Sequence, residues 1–157
     1  MIIKKQTIVK PLPTDELILK KESMWEISLP ENYKQFIKKF NGGEPIKSQF
    51  SCNNKKYQLS NFLSILEGDF YVNKSAKYDI DVIMTRLDEF IIYDEDLYRV
   101  QLLPIALLVG DEYLCFDYKY TTKNPSICLW SSLESSELNP VTYFVANDFD
   151  ELLKLLY

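Results

Sequence analysis

The chain has 157 residues, of which 46% are hydrophobic and 26% charged, the balance of one soluble globular domain spanning residues 1–157 and not of a disordered tail. Its formal net charge is −5: residues 1–60 are basic, and residues 61–157 carry the acidic excess, which argues against a nucleic-acid binder because phosphate contacts need clustered Lys and Arg. There is no histidine, which excludes Ser-His-Asp and Cys-His chemistry and His-ligated zinc.

The cysteines Cys52, Cys115 and Cys128 are odd in number and lack CxxC spacing, so they suggest neither a disulfide framework nor a thiolate metal site. Cys115 and Cys128 sit in apolar runs and read as buried thiols. The first residues show no signal-peptide pattern and no window is apolar for 18 residues, so a cytoplasmic location is expected.

Thr14 predicts the cap of a first helix running to about Trp25, with Asp15 and Glu16 in its first turn. Pro30 starts a second helix, in which Tyr33, Phe36, Ile37 and Phe40 recur at i, i+3, i+4, i+7 and form a core-facing stripe. Asn41-Gly42-Gly43 stops it and Pro45 blocks continuation. The alternation from Lys47 to Ser60 around Asn53-Asn54 predicts a hairpin. Phe62 to Leu66 is either a helical turn or a strand. Tyr78 to Tyr93 reads as one long helix, burying Ile80, Ile83, Met84, Leu87 and Ile91 and exposing Asp79, Asp81, Asp88 and Glu89.

Past the acidic turn Asp94-Glu95-Asp96 the chain becomes strand-rich. Ile105 to Val109, Glu112 to Tyr118, Ile127 to Trp130 and Val141 to Val145 predict four strands, the first two joined at Gly110-Asp111. Trp130, in mid-strand, is assigned to the core. Asp148 and Glu151 resemble a capping box for a last helix with Phe149, Leu152, Leu153 and Leu156 inward. The order indicates an α+β domain with a twisted, mostly antiparallel sheet and helices packed against it.

Three segments resemble a known pattern. Leu29-Pro30-x-x-Tyr33-x-x-Phe36 followed by Asn41-Gly42-Gly43-x-Pro45 is similar to the N-terminal signature of the SMI1/KNR4 family, the SUKH superfamily. Leu103-Pro104-Ile105-Ala106 with Gly110 to Asp117 resembles its second signature, and Val145 to Leu153, including Phe149, its C-terminal strand and helix. The matches occur in family order across about residues 14–156. The resemblance implies an SMI1/KNR4-like fold and a non-enzymatic binding protein without a cofactor. Bacterial members are mostly immunity proteins that neutralise a toxin domain by direct contact; fungal members are linked to cell-wall glucan synthesis, so an intracellular scaffold or regulator is the alternative. The signature residues are expected to be structural.

For partner contact, the expected residues are Asp94, Glu95, Asp96, Tyr98, Asp111, Glu112, Tyr118 and Tyr120, because carboxylates can oppose a basic nuclease toxin while tyrosines supply anchors. Tyr93 is a further tyrosine flanking the acidic turn. Asp117 reads as a turn cap in preference to a catalytic or metal-binding carboxylate beside Asp111 and Glu112. No nucleic-acid or membrane partner is expected.

Overall fold

The computed structural model describes residues 2–68 and 74–157. Helix α1 spans Asp15–Trp25, and the Thr14 hydroxyl accepts the Leu17 N–H at its start (3.1 Å). It ends in a Schellman arrangement: Glu26 is left-handed, its N–H donates to Ser23 O, and the Ile27 N–H donates to Glu22 O. Helix α2, Glu31–Phe40, follows directly on Pro30 and buries Tyr33, Phe36, Ile37 and Phe40.

Asn41 closes α2 with φ 47°, and it does more than accept that conformation. Its fully buried amide donates to Pro11 O and Ile65 O and accepts the Ile65 N–H at 2.8 Å. Gly42 is needed for close approach as well as for its positive φ, since a Cβ there would lie 2.7 Å from Phe62 O and 2.8 Å from Leu63 O. The signature loop therefore seals α2 against the strand that follows.

Strands β1 (Gln49–Cys52) and β2 (Lys55–Phe62) form the expected hairpin, with Asn53 and Asn54 both left-handed as a two-residue turn requires. The 62–66 ambiguity resolves as extended chain. Phe62 pairs with Gly43, Leu63 donates to Ile105 O, and Ser64 bridges Asp79.

The long helix expected over 78–93 is interrupted. Helix α3 is Ile80–Leu87, followed by a 3-10 turn over Asp88–Ile91. Asp88 leaves helical geometry at φ 45°, and the altered path brings the Phe90 carbonyl to the Trp130 indole N–H (2.9 Å) and buries Ile91. Two of the acids assigned to its exposed face are engaged instead. Asp79 is 1% exposed and caps α3, accepting the N–H groups of Asp81, Val82 and Leu66. Asp81 accepts from the Lys21 ammonium and the Trp25 indole, which ties α3 to α1.

Strands β3 (Leu102–Leu108), β4 (Tyr113–Asp117), β5 (Ser126–Trp130) and β6 (Thr142–Ala146) complete a six-stranded antiparallel sheet of order β1-β2-β3-β4-β5-β6. Helix α4, Phe149–Leu155, closes the chain. Its cap follows the expected box with one change: Asp148 accepts the Glu151 N–H, but the Glu151 carboxylate returns to the Asn147 N–H. A register shift at Pro104–Ala106 makes the second signature a bulge in β3, where proline is tolerated and the Ile105 carbonyl is free to accept from Leu63.

Both faces of the central strands are covered. On one, Tyr33 of α2 meets Phe116 and Phe149 edge-on at 5.0 and 5.1 Å. On the other, Arg86 of α3 donates to the Tyr113 hydroxyl and Trp130 reaches Phe90. Tyr113 and Phe116 differ in parity along β4, so they point to opposite faces. This double cover is why β3 to β5 read as near-continuous apolar runs.

Candidate functional site

The segment between α3 and β3 holds the acidic turn, and a residue absent from the sequence reading organises it. Gln101 is 4% exposed and uses its amide fully: Oε1 accepts the N–H groups of Tyr93 (2.7 Å) and Asp94 (3.0 Å), and Nε2 donates to Asp94 O (2.9 Å) and Leu97 O (3.3 Å). The Asp94 carboxylate turns back to accept the Asp96 N–H (3.0 Å). The loop is wound around a buried amide while Asp94, Glu95 and Asp96 stay exposed.

A second clamp holds the chain after β4. The Arg99 guanidinium donates to the carbonyls of Tyr118, Lys119 (3.1 Å), Thr121 (3.3 Å) and Val100 (3.3 Å). Asp117 accepts the Lys119 N–H at 3.0 Å, a turn cap. The Lys119 ammonium lies 4.0 Å from the centre of the Tyr93 ring, which joins the two loops. Between them they present Tyr98 and Tyr120, 94% and 88% exposed.

Tyr118 does not belong to this surface. The β4 alternation continues past Asp117 and turns Tyr118 to the same face as Phe116. It is fully buried, its hydroxyl donates to Ser28 O (2.7 Å), and burial pushes its pKa up. It locks the loop to the α1–α2 turn and is unavailable as a partner anchor.

Asp111 and Glu112 are not part of this cluster either. They lie at the other end of β4, roughly 20 Å from Asp117 at about 3.4 Å per residue. Asp111 is exposed, and Glu112 is half-buried with its pKa raised by burial, against which Lys55 acts. Asp117 and the Asp111-Glu112 pair are therefore separated. Among the described residues no three His, Cys, Asp or Glu side chains form a metal-holding group. Cys115 and Cys128 face each other across β4 and β5, buried, with thiol pKa values pushed up by burial.

Charge is sorted in space. The ion pairs among the described residues are Lys4–Glu44, Lys20–Glu67, Lys21–Asp81, Lys34–Glu22 and Lys38–Asp15. Five lysines of the N-terminal part, Lys4, Lys20, Lys21, Lys34 and Lys38, thus neutralise acids near them, whereas no acid from Asp88 onward has a cation within 4.0 Å among the described residues. Asp88 and Tyr98 line one cleft, and the exposed carboxylates of residues 94–96 precede Tyr98 in the same segment. This cleft, of ≈ 170 Å³, lies between the Asp88 turn and the 97–102 segment.

No helix among the described residues is long and apolar enough to cross a membrane. No curated protein matches the chain. The family comparison gives a match over residues 12–155, a span that contains all three signature segments, the buried Asn41 loop and the β3 bulge. The chain belongs to the SMI1 / KNR4 family (SUKH-1).

Proposed function

We propose that this protein is a non-enzymatic immunity protein that binds a basic toxin domain, a nuclease, and neutralises it by direct contact. The observation that carries the reading is the unpaired acidic turn at 94–96, held in a fixed shape beside two almost fully exposed tyrosines. Carboxylates without intramolecular cations raise the encounter rate with a positively charged partner. A buried scaffold under exposed aromatic side chains lowers the ordering cost of binding. Tyrosine is among the residues that dominate interface energetics.

The test is a complex. Calorimetry with the toxin domain encoded beside this gene should show one-to-one binding, and co-expression should rescue growth. No complex and no rescue would discard the reading. A wall-stress phenotype on deletion, without loss of toxin resistance, would favour regulation of cell-wall synthesis instead.

A further inference from the structure

The cleft behind the acidic turn has an uneven chemistry that narrows its ligand. Its floor is apolar: Leu102 is fully buried, Ile91 is 6% exposed, and Met84 and Leu97 line the sides. At its mouth stand the exposed Asp88 and the ring of Tyr98. A wholly apolar group would leave the carboxylate unpaired at the entrance, and a compact cation would leave the floor wet. A long aliphatic stem ending in a cation satisfies both parts.

We propose that this cleft is the receptor for a single arginine side chain of the basic partner. The stem would lie against Met84 and Leu97, and the planar guanidinium would pair with Asp88 and stack on Tyr98, contacts for which it is better shaped than an ammonium. The Arg99 guanidinium, which also lines the cleft, is turned to the carbonyls of Val100, Tyr118, Lys119 and Thr121 and makes no ion pair with Asp88, so that carboxylate is open to a cation from outside. The walls are set before the ligand arrives, since Gln101 fixes Leu97 and Asp94 through its amide. Little ordering remains to oppose binding. This inference rests on the proposed function for the identity of the partner, but the cleft's chemistry is testable without it.

The full chain, labelled with 15N, should be titrated with acetyl-Gly-Arg-Gly-amide and with the same peptide carrying citrulline, which keeps the shape and removes the charge. Saturable shifts confined to residues 84–102 are expected, with affinity for the arginine peptide at least 3-fold above that for citrulline. Asp88→Asn should abolish the difference and Asp111→Asn, at the other end of the hairpin, should preserve it. Asparagine has the size and shape of aspartate, so both variants should fold, and their amide spectra report whether they do. Shifts that never saturate, equal affinity for citrulline, or an equal loss in Asp111→Asn would each overturn the proposal. The two readings fail separately. A toxin domain that binds Asp88→Asn as tightly as the parent removes the cleft from the interface and leaves the function standing. An arginine-selective cleft in a protein that binds no toxin domain does the reverse.

Discussion

Two loops of this molecule are built by the same device and used in opposite ways. Asn41 and Gln101 are both buried primary amides that satisfy backbone groups of a neighbouring segment, Asn41 at Pro11 and Ile65, Gln101 at Tyr93, Asp94 and Leu97. The first loop faces inward and leaves no room, down to the missing Cβ of Gly42. The second faces outward and places carboxylates and Tyr98 in water. The difference teaches how one device can either seal a core or shape an exposed surface: a signature residue here is one whose replacement breaks a seal between elements.

If that contrast holds, damage at the inward loop should be the larger. Asn41→Ala strands the Ile65 N–H and two carbonyls in a dry site, and Gly42→Ala drives a methyl group against two backbone oxygens at a positive φ. Each is expected to lower stability by about 3 kcal/mol or more, measured by urea unfolding. A loss under about 1 kcal/mol in both would reduce the loop to a passive turn.

Gln101→Ala should come next, at about 1–3 kcal/mol for the backbone groups it abandons. Because the loop it holds borders water, part of that cost is recovered by hydration. The diagnostic effect is local: hydrogen exchange at the Tyr93 and Asp94 amides should accelerate beyond what the fall in global stability explains. Protection unchanged at those amides would separate Gln101 from the shape of the loop.

The sequence made the first loop legible and left the second dark for a physical reason. Helix stripes and stop signals repeat at fixed spacing, so α1, α2, the hairpins and the Asn41-Gly42-Gly43 terminator could be read from residue type alone. The acidic turn could also be seen, but what holds it could not: a single glutamine before an apolar strand looks like any solvent-exposed polar residue until the fold buries it. Tyr118 failed for a related reason. A tyrosine at a strand end can face either side of a sheet, and only the continuation of the β4 alternation decides. The 78–93 stripe was periodic through Ile91, yet periodicity does not register that Asp88 departs from the helix, since a 3-10 turn can deliver Ile91 to the same core.

A charge reversal addresses the outward loop without touching its clamp. Glu95→Lys with Asp96→Lys should leave urea unfolding nearly unchanged and slow association with a basic toxin domain by about tenfold at low salt. The Asp94 backbone bonds to Gln101 remain available in this variant. Equal association rates for parent and variant in stopped-flow mixing would take the loop out of the encounter surface.

The smallest expected effect tests the unclamped end of the β3–β4 hairpin. Burial, with a contribution from Glu134, raises the Glu112 pKa, and Lys55 only partly offsets it. A carboxyl whose folded-state pKa is raised binds its proton more readily in the fold than in the unfolded chain, so its charged form works against stability at neutral pH. That penalty is fully present above the folded-state pKa and disappears as pH falls below the unfolded value, where both states are protonated. Glu112→Gln should accordingly be slightly more stable than the parent at pH 7, by at most about 0.5 kcal/mol once solvent screening is counted, and equal to it in acid. Urea unfolding at pH 7 and at pH 3 measures both points. A variant less stable than the parent at pH 7 would mean that Lys55 outweighs burial, and that this end of the hairpin, like the N-terminal helices, neutralises its own charge in place of displaying it.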